Sequence, residues 1–239
     1  MQADAVNSDA FPIGHYDLDD ALIEATARDG KTRARVYVFP GVAVVLGRGS
    51  KPEVELDLDA CRRDGVAMLR RRGGGCAVVL DPGNVIVSVA LRAEGIGGNR
   101  AHFAKISAWL AAALERAGIP GVTHQGTSDL VLGDRKVGGA CIWRAKGLLY
   151  YSTTLLVSPR VDLMERYLRH PPREPAYRRA RAHAEFVGSL AEDGRGAVPR
   201  PGPRVSAETV ASALRRILNV TAEGIVLPVD SPRRAPCPR

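Results

Sequence analysis

The sequence predicts an α+β domain: a mixed, mainly antiparallel sheet flanked by helices. Three observations lead there. Runs with helical spacing interleave with apolar runs rich in valine and isoleucine, so neither an all-helical nor an all-strand fold fits. The turns between strand-like runs are tight, at Asp81-Pro82-Gly83-Asn84 and Gly133-Asp134, and tight turns join antiparallel neighbours. The chain has 239 residues and no internal repeat, enough to bury one sizeable core.

Taken in order, residues 1–13 read as a loose leader. Residues 17–29 read as a helix with Ala21, Leu22 and Ala25 on one face and Gly30 as its stop. Residues 33–39 alternate like a strand, and the apolar run 43–47 reads as a strand buried on both faces. A short helix over 58–64 and a strand over 66–69 lead into a glycine-rich loop. Residues 77–80 and 85–91 read as two strands joined by the Asp-Pro-Gly-Asn turn, whose proline and glycine supply the backbone angles.

The clearest helix spans 101–117, apolar at Phe103, Ile106, Leu110 and Leu114, with Gly118 as its stop and Pro120 beyond. A hairpin over 129–136, a strand over 148–157 and a helix over 162–168 follow. Arg178, Arg179, Arg181 and His183 make a dense basic patch, expected as a solvated face. Ser206 caps a last helix, 207–218, with Glu208 in its first turn. These elements give a flexible leader 1–13, a body 14–228 with a helical segment 205–219, and a disordered Pro/Arg-rich tail 229–239.

The formal net charge is +8, from 34 basic and 26 acidic residues. That excess is spread thinly, and aromatics are only 5% of the chain, leaving few platforms on which bases could stack. An acidic protein partner fits the charge as well as nucleic acid does. No apolar run approaches a membrane span. The first fifteen residues lack the basic start of a signal peptide. The cysteines Cys61, Cys76, Cys141 and Cys237 are widely spaced with no CxxC, against a zinc site or a disulfide framework. A cytoplasmic monomer is the expectation.

Two stretches carry the chemistry. Arg70-Arg71-Arg72 runs into Gly73-Gly74-Gly75-Cys76-Ala77, a flexible backbone beside guanidinium forks that suits phosphate or carboxylate. It is neither GxGxxG nor a P-loop, and it also fits a glycine-rich hairpin with a solvated basic rim. The second stretch, Gly126 to Ala140, holds Ser128-Asp129, a tight turn, Lys136 and the pair Gly138-Gly139. Only five of the 34 basic residues are lysines (Lys31, Lys51, Lys105, Lys136 and Lys146), so Lys136 is not background. Taken alone, it could be an ordinary turn lysine and Asp129 a turn cap.

Together the two stretches resemble the lipoate–protein ligase family of the biotin/lipoate ligase and octanoyl transferase superfamily. The family carries an RRxxGGGxxxHDxGN-like segment and, later, a DL…GrKvsG segment with an essential lysine. The resemblance covers about Asp17 to Leu190. It implies the biotin/lipoate ligase catalytic fold, with lipoate and ATP giving lipoyl-AMP and then an acylated lysine on a lipoyl domain. The acceptor would be a 2-oxoacid dehydrogenase subunit or a glycine cleavage H protein type.

By motif position, the resemblance makes Lys136 catalytic and Asp129 the holder of Mg2+. It makes Arg48, Arg70, Arg71, Gly73, Gly74, Gly75, Cys76, Ala77, Ser128 and Gly139 the binding residues. Leu80 stands where the motif has histidine, Cys76 where an ungapped alignment puts the last glycine, and Tyr151-Ser152 where many members have His-Gly. The alternatives are an ATP-independent octanoyl or lipoyl transferase from acyl carrier protein, working through Cys76 or Cys141, and a non-catalytic binding relative.

Overall fold

The computed structural model describes residues 12–93, 97–192, 205–219 and 225–226. The expected leader up to residue 11 and the tail 229–239 lie outside those residues.

Among the described residues the strands form two sheets. The larger orders β11 (Ile225–Val226), β2 (Arg33–Val38), β6 (Asn84–Arg92), β10 (Leu148–Leu156), β9 (Arg135–Ala145), β8 (Asp129–Leu132) and β7 (Val122–Gln125). Every neighbouring pair in it is antiparallel. The smaller orders β1 (Gly14–His15), β4 (Ala67–Arg70), β3 (Ala43–Leu46) and β5 (Val78–Leu80). Its first two pairings are parallel and the third antiparallel, so the fold is mixed and mainly antiparallel, as expected.

Strand alternation divides the labour of the large sheet. Leu149, Tyr151, Leu155, Val85, Val87 and Val89 face one way, onto α4 (Asn99–Arg116) and α7 (Ala207–Leu218). Helix α4 buries Phe103, Ile106, Leu110 and Leu114, a helical spacing, and α7 buries Val210, Ala211, Leu214 and Leu218. Ser206 caps α7 by accepting from the Thr209 N–H. The opposite face, carrying Ile86, Ser88, Tyr150 and Ser152, turns toward α1 (Asp20–Asp29) and the small sheet. Helix α1 buries Leu22, Ile23 and Thr26, while Ala21 is exposed, so its inner face is rotated from the one the sequence suggested.

Three further expectations are corrected. The Asp81–Asn84 turn does not close a hairpin: β5 belongs to the small sheet and β6 to the large one. The turn is a buried corner between sheets. Asp81 accepts from the N–H groups of Gly83 (2.6 Å) and Arg160 (3.0 Å), and a Cβ on Gly83 would overlap the Ser158 carbonyl. The hairpin expected over 129–136 does not end there: its second strand, β9, runs on through Gly138 and Gly139 to Ala145. The patch from Arg178 to His183 is not uniformly solvated, because Arg178 and His183 are buried. Sequence reading also passed over β7 and the one-turn helices α2 (Pro52–Glu55) and α6 (His183–Phe186). These are short, with too few turns to show a period.

Candidate active site

A cavity of about 550 Å³ lies where the two sheets meet. One wall is apolar, built from Ile23, Val45, Val79, Leu80, Ile86, Leu156 and Met164. Leu80, in the place of the motif histidine, extends that wall and is 3% exposed. Beyond it lies a buried polar knot. Asp19, just before α1, accepts from Tyr150 Oη (2.6 Å), Ser88 Oγ (2.7 Å) and Tyr37 Oη (3.2 Å). Tyr16 and Tyr37 share a hydroxyl contact at 2.9 Å. Burial first, and the Asp19 charge second, push both phenols far above the ordinary tyrosine range.

At the polar end of the cavity, Lys136 Nζ lies 2.7 Å from Asp129 Oδ1. Tyr177 Oη donates to Asp129 Oδ2 at 2.8 Å, and burial raises its pKa, with the Asp129 charge adding to the effect. The tight turn between β8 and β9 brings lysine and aspartate together across the ladder, where a register shift falls between Leu130 and Val131. Gly139 makes room for the lysine: a Cβ there would lie 3.0 Å from both Lys136 Cε and Nζ.

The glycine-rich loop is held from inside. Arg71 Nη1 donates to the Val45 carbonyl (2.9 Å), and its Nη2 donates to those of Gly74 and Cys76 (2.8 Å each). Arg70 Nη1 donates to the carbonyls of Gly47 (2.8 Å) and Ser50 (3.0 Å). Glu55, 7% exposed, accepts from Ser50 Oγ and the Ala77 N–H. Gly75 sits at φ 94°, and a Cβ on Gly47 would overlap the Gly75 carbonyl, so this close passage requires glycine on both sides.

Of the residues singled out from sequence, Arg71, Gly75, Cys76, Ala77, Ser128, Asp129, Lys136 and Gly139 line the cavity. Arg48, Arg70, Gly73 and Gly74 do not. Arg48 is exposed, Arg70 braces the 47–50 turn, and Gly73 packs against the Cys141 side chain. Cys141 lines the cavity too. Burial raises its thiol pKa, and nearby Arg71 pulls it back.

Sequence reasoning missed Asp19, Glu55, Tyr177, Arg178 and His183, which tertiary packing alone brings to this wall. Local patterning carries no signal for them. Asp129 is a lone carboxylate: among the described residues no three His, Cys, Asp or Glu side chains cluster as a metal cage.

An antiparallel sheet backed by two helices, with a smaller sheet closing over a part-apolar cavity, is the lipoate–protein ligase catalytic fold. The solved structure of a lipoate-protein ligase A bound with ATP superposes with TM-score 0.66 at 21% identity, covering 87% of this chain and 85% of that one. A structure from the Thermoplasma acidophilum lipoylation system, described as a bi-partite lipoate protein ligase and its E2 lipoyl domain, superposes with TM-score 0.65 at 24% identity, covering 87% of this chain and 79% of that one.

The chain belongs to the lipoyl protein ligase A/B catalytic domain family, whose profile matches residues 14–218. A protein of Aeropyrum pernix that bears the lipoate-protein ligase A name is 34% identical over 142 residues, 59% of this chain and 52% of that protein. An octanoyltransferase LipM of Moorella thermoacetica is 33% identical over 114 residues, 46% and 41% of the two chains. The chain thus spans about half the length of these curated relatives. Among the described residues no helix is long and apolar enough to cross a membrane.

Proposed function

We propose that the chain is an acyl-adenylate-forming lipoate–protein ligase. It joins lipoate, or a similar acid, to AMP from ATP and passes the acyl group to a lysine of a lipoyl-domain protein. The observation that carries this reading is the Lys136–Asp129 pair at the polar end of a cavity whose other wall is apolar. Carboxylate oxygen attacks the α-phosphorus of ATP, the bond to pyrophosphate breaks, and pyrophosphate leaves. The acceptor amine then attacks the acyl carbon, AMP departs, and the amine loses a proton.

The Lys136 ammonium is a compact point charge suited to the α-phosphate and the acyl oxygen in both steps. The loop from Gly75 to Ala77, braced by Arg71 and Glu55, presents backbone close to the acyl-phosphate junction. Ser128 and Gly139 complete the surface around the lysine, and the wall from Ile23 to Met164 takes the acyl chain. Asp129 fits Mg2+ brought by a nucleotide, because such ions ask the protein for one or two carboxylates and take the rest from phosphate and water. Bound there, the ion would neutralise phosphate charge. The ATP of one solved relative and the E2 lipoyl domain of another support the nucleotide and the acceptor class. A cytoplasmic monomer acting on a 2-oxoacid dehydrogenase subunit or an H protein belongs to the same proposal.

The test is pyrophosphate release from Mg-ATP that depends on lipoate and needs no acceptor, followed by a gain of the acyl mass on added lipoyl domain. A transferase reading has one observation in its favour: Cys76 and Cys141 both line the cavity. It predicts no pyrophosphate, and octanoyl uptake from acyl carrier protein that disappears in Cys76→Ser or Cys141→Ser. That pair of results would replace the ligase reading.

A further inference from the structure

We infer that Arg178 supplies the guanidinium fork that grips the polyphosphate of the nucleotide, a role that Arg70 and Arg71 do not fill in this chain. The inference rests on the adenylating reading above and names the residue that reads its leaving group.

Apart from Arg173, which is exposed, the other guanidinium groups on the cavity wall are already engaged. Arg71 holds three backbone carbonyls, Arg72 grips Asp20 through Nε and Nη2, and Arg169 Nη1 donates to the Glu53 carbonyl. Arg178 is different. It lines the cavity at 5% exposure, yet only its Nε is engaged, donating to the Arg181 carbonyl at 3.0 Å with Glu174 Oε2 3.5 Å away. Among the described residues neither terminal nitrogen has a hydrogen-bond acceptor, and Nη2 is wholly buried.

A buried guanidinium with an empty fork is costly, since its terminal donors leave water with nothing to bond. Such a group is retained where something else supplies the acceptors. Two oxygens of a phosphate chain match the fork in spacing and charge.

The surroundings agree. Tyr177, the preceding residue, is tied to Asp129, so the backbone turn that carries Arg178 starts at the Lys136 end of the cavity. Arg179 and Ala180 follow at φ 53° and 57°, two consecutive left-handed residues without glycine, a strained turn of the kind that clusters at ligand clamps. Reciprocal bonds between Arg178 and Arg181, with Glu174 Oε1 accepting from the Ala180 N–H, hold that turn in place. Phe186 backs the guanidinium 4.8 Å away. Glu174 is a loose counter-ion, shared with His170, that a phosphate can replace. The Arg178 pKa is lowered by burial, which agrees with incomplete compensation.

Calorimetric titration of the full chain with Mg-ATP, inorganic pyrophosphate, AMP and lipoate tests this. Arg178→Met should weaken Mg-ATP and pyrophosphate at least about tenfold, leave AMP and lipoate within about twofold, and change Tm little, because its unpaired donors are removed together with the single bond to the Arg181 carbonyl and the loose Glu174 contact. Arg178→Lys should recover part of the pyrophosphate affinity. Wild-type-like pyrophosphate binding by Arg178→Met overturns the assignment, as does a joint loss of AMP binding, lipoate binding and Tm. So does a wild type that takes up no pyrophosphate. If pyrophosphate binding depends on Arg178 but no acyl-AMP forms, the anion site stands and the adenylating reading falls.

Discussion

Lys136 contributes little to packing: its side chain is 29% exposed, and its one ion pair is to Asp129. Its partner carboxylate is buried, at 10% side-chain exposure, so leaving it without the lysine costs about 1–3 kcal/mol. Lys136→Ala should therefore abolish acyl-AMP formation and acceptor modification while lowering stability by no more than about that amount; a denaturant melt beside the mass assay reads both. Lys136→Arg should rescue poorly, because a planar fork does not reproduce a compact ammonium. Gly139→Ala gives a finer probe of the same position. The added methyl meets the flexible end of the lysine rather than backbone, so the fold should survive while the ammonium is displaced and turnover falls at least about tenfold. Wild-type turnover in Gly139→Ala would mean the lysine acts from elsewhere. Lys136 and Asp129 were legible in the sequence because a hairpin turn places them by local rules. Arg178 was not: in one dimension it is one of several adjacent basic residues, and only the packed turn shows that its fork is empty and buried.

The elements that sequence pattern named well are those long enough to show one, such as α4, α7, β6 and β10. The buried positions of the two helices recur at helical spacing, while β6 and β10 show as long, mainly apolar runs. The Asp81–Asn84 segment shows the limit of that reading, because a turn sequence specifies local angles and not which sheet the next strand joins. Asp81→Ala should accordingly cost more than a surface turn would, about 1–3 kcal/mol, because two part-buried N–H groups lose a buried acceptor. A denaturant midpoint within experimental error of wild type would refute the corner role. Helix α6 adds a pH dependence. His183 is buried, and desolvation first, then the charge of Arg178, lower its pKa below the usual 6.5. The unfolded chain then binds the proton more readily than the native one. Stability from this group is complete above about pH 6.5 and is lost as pH falls toward the depressed native value. The drop in Tm from pH 7 to 5 should shrink in His183→Gln, and an unchanged drop would remove His183 as its source.

At the scale of the molecule, the two sheets divide the proposed reaction. The large sheet brings Lys136, Asp129 and Cys141, the small sheet and its loops bring Val45, Gly75 and Val79, and the cavity exists only where they meet. The fold class was legible because interleaved helices and strands with tight turns leave few architectures. The meeting of the sheets was not, since it depends on contacts between residues far apart in the chain. The net charge of +8 belongs to this scale as well. Arg173, which lines the cavity, and Arg179 are exposed on one segment, a face that the proposed acceptor could use. Complementary charge raises the encounter rate with an acidic domain, and salt screens it over about 8–10 Å at ordinary ionic strength. The proposed activation step, by contrast, would take place inside the cavity, where contacts are screened far less. Raising salt from about 20 to about 300 mM should therefore increase KM for an acidic lipoyl domain at least about fivefold while changing lipoate-dependent pyrophosphate release less than about twofold. Arg173→Glu combined with Arg179→Glu should reproduce the high-salt KM at low salt and remove most of the remaining salt dependence. Equal salt sensitivity in both half-reactions would show that the acceptor does not dock on this face.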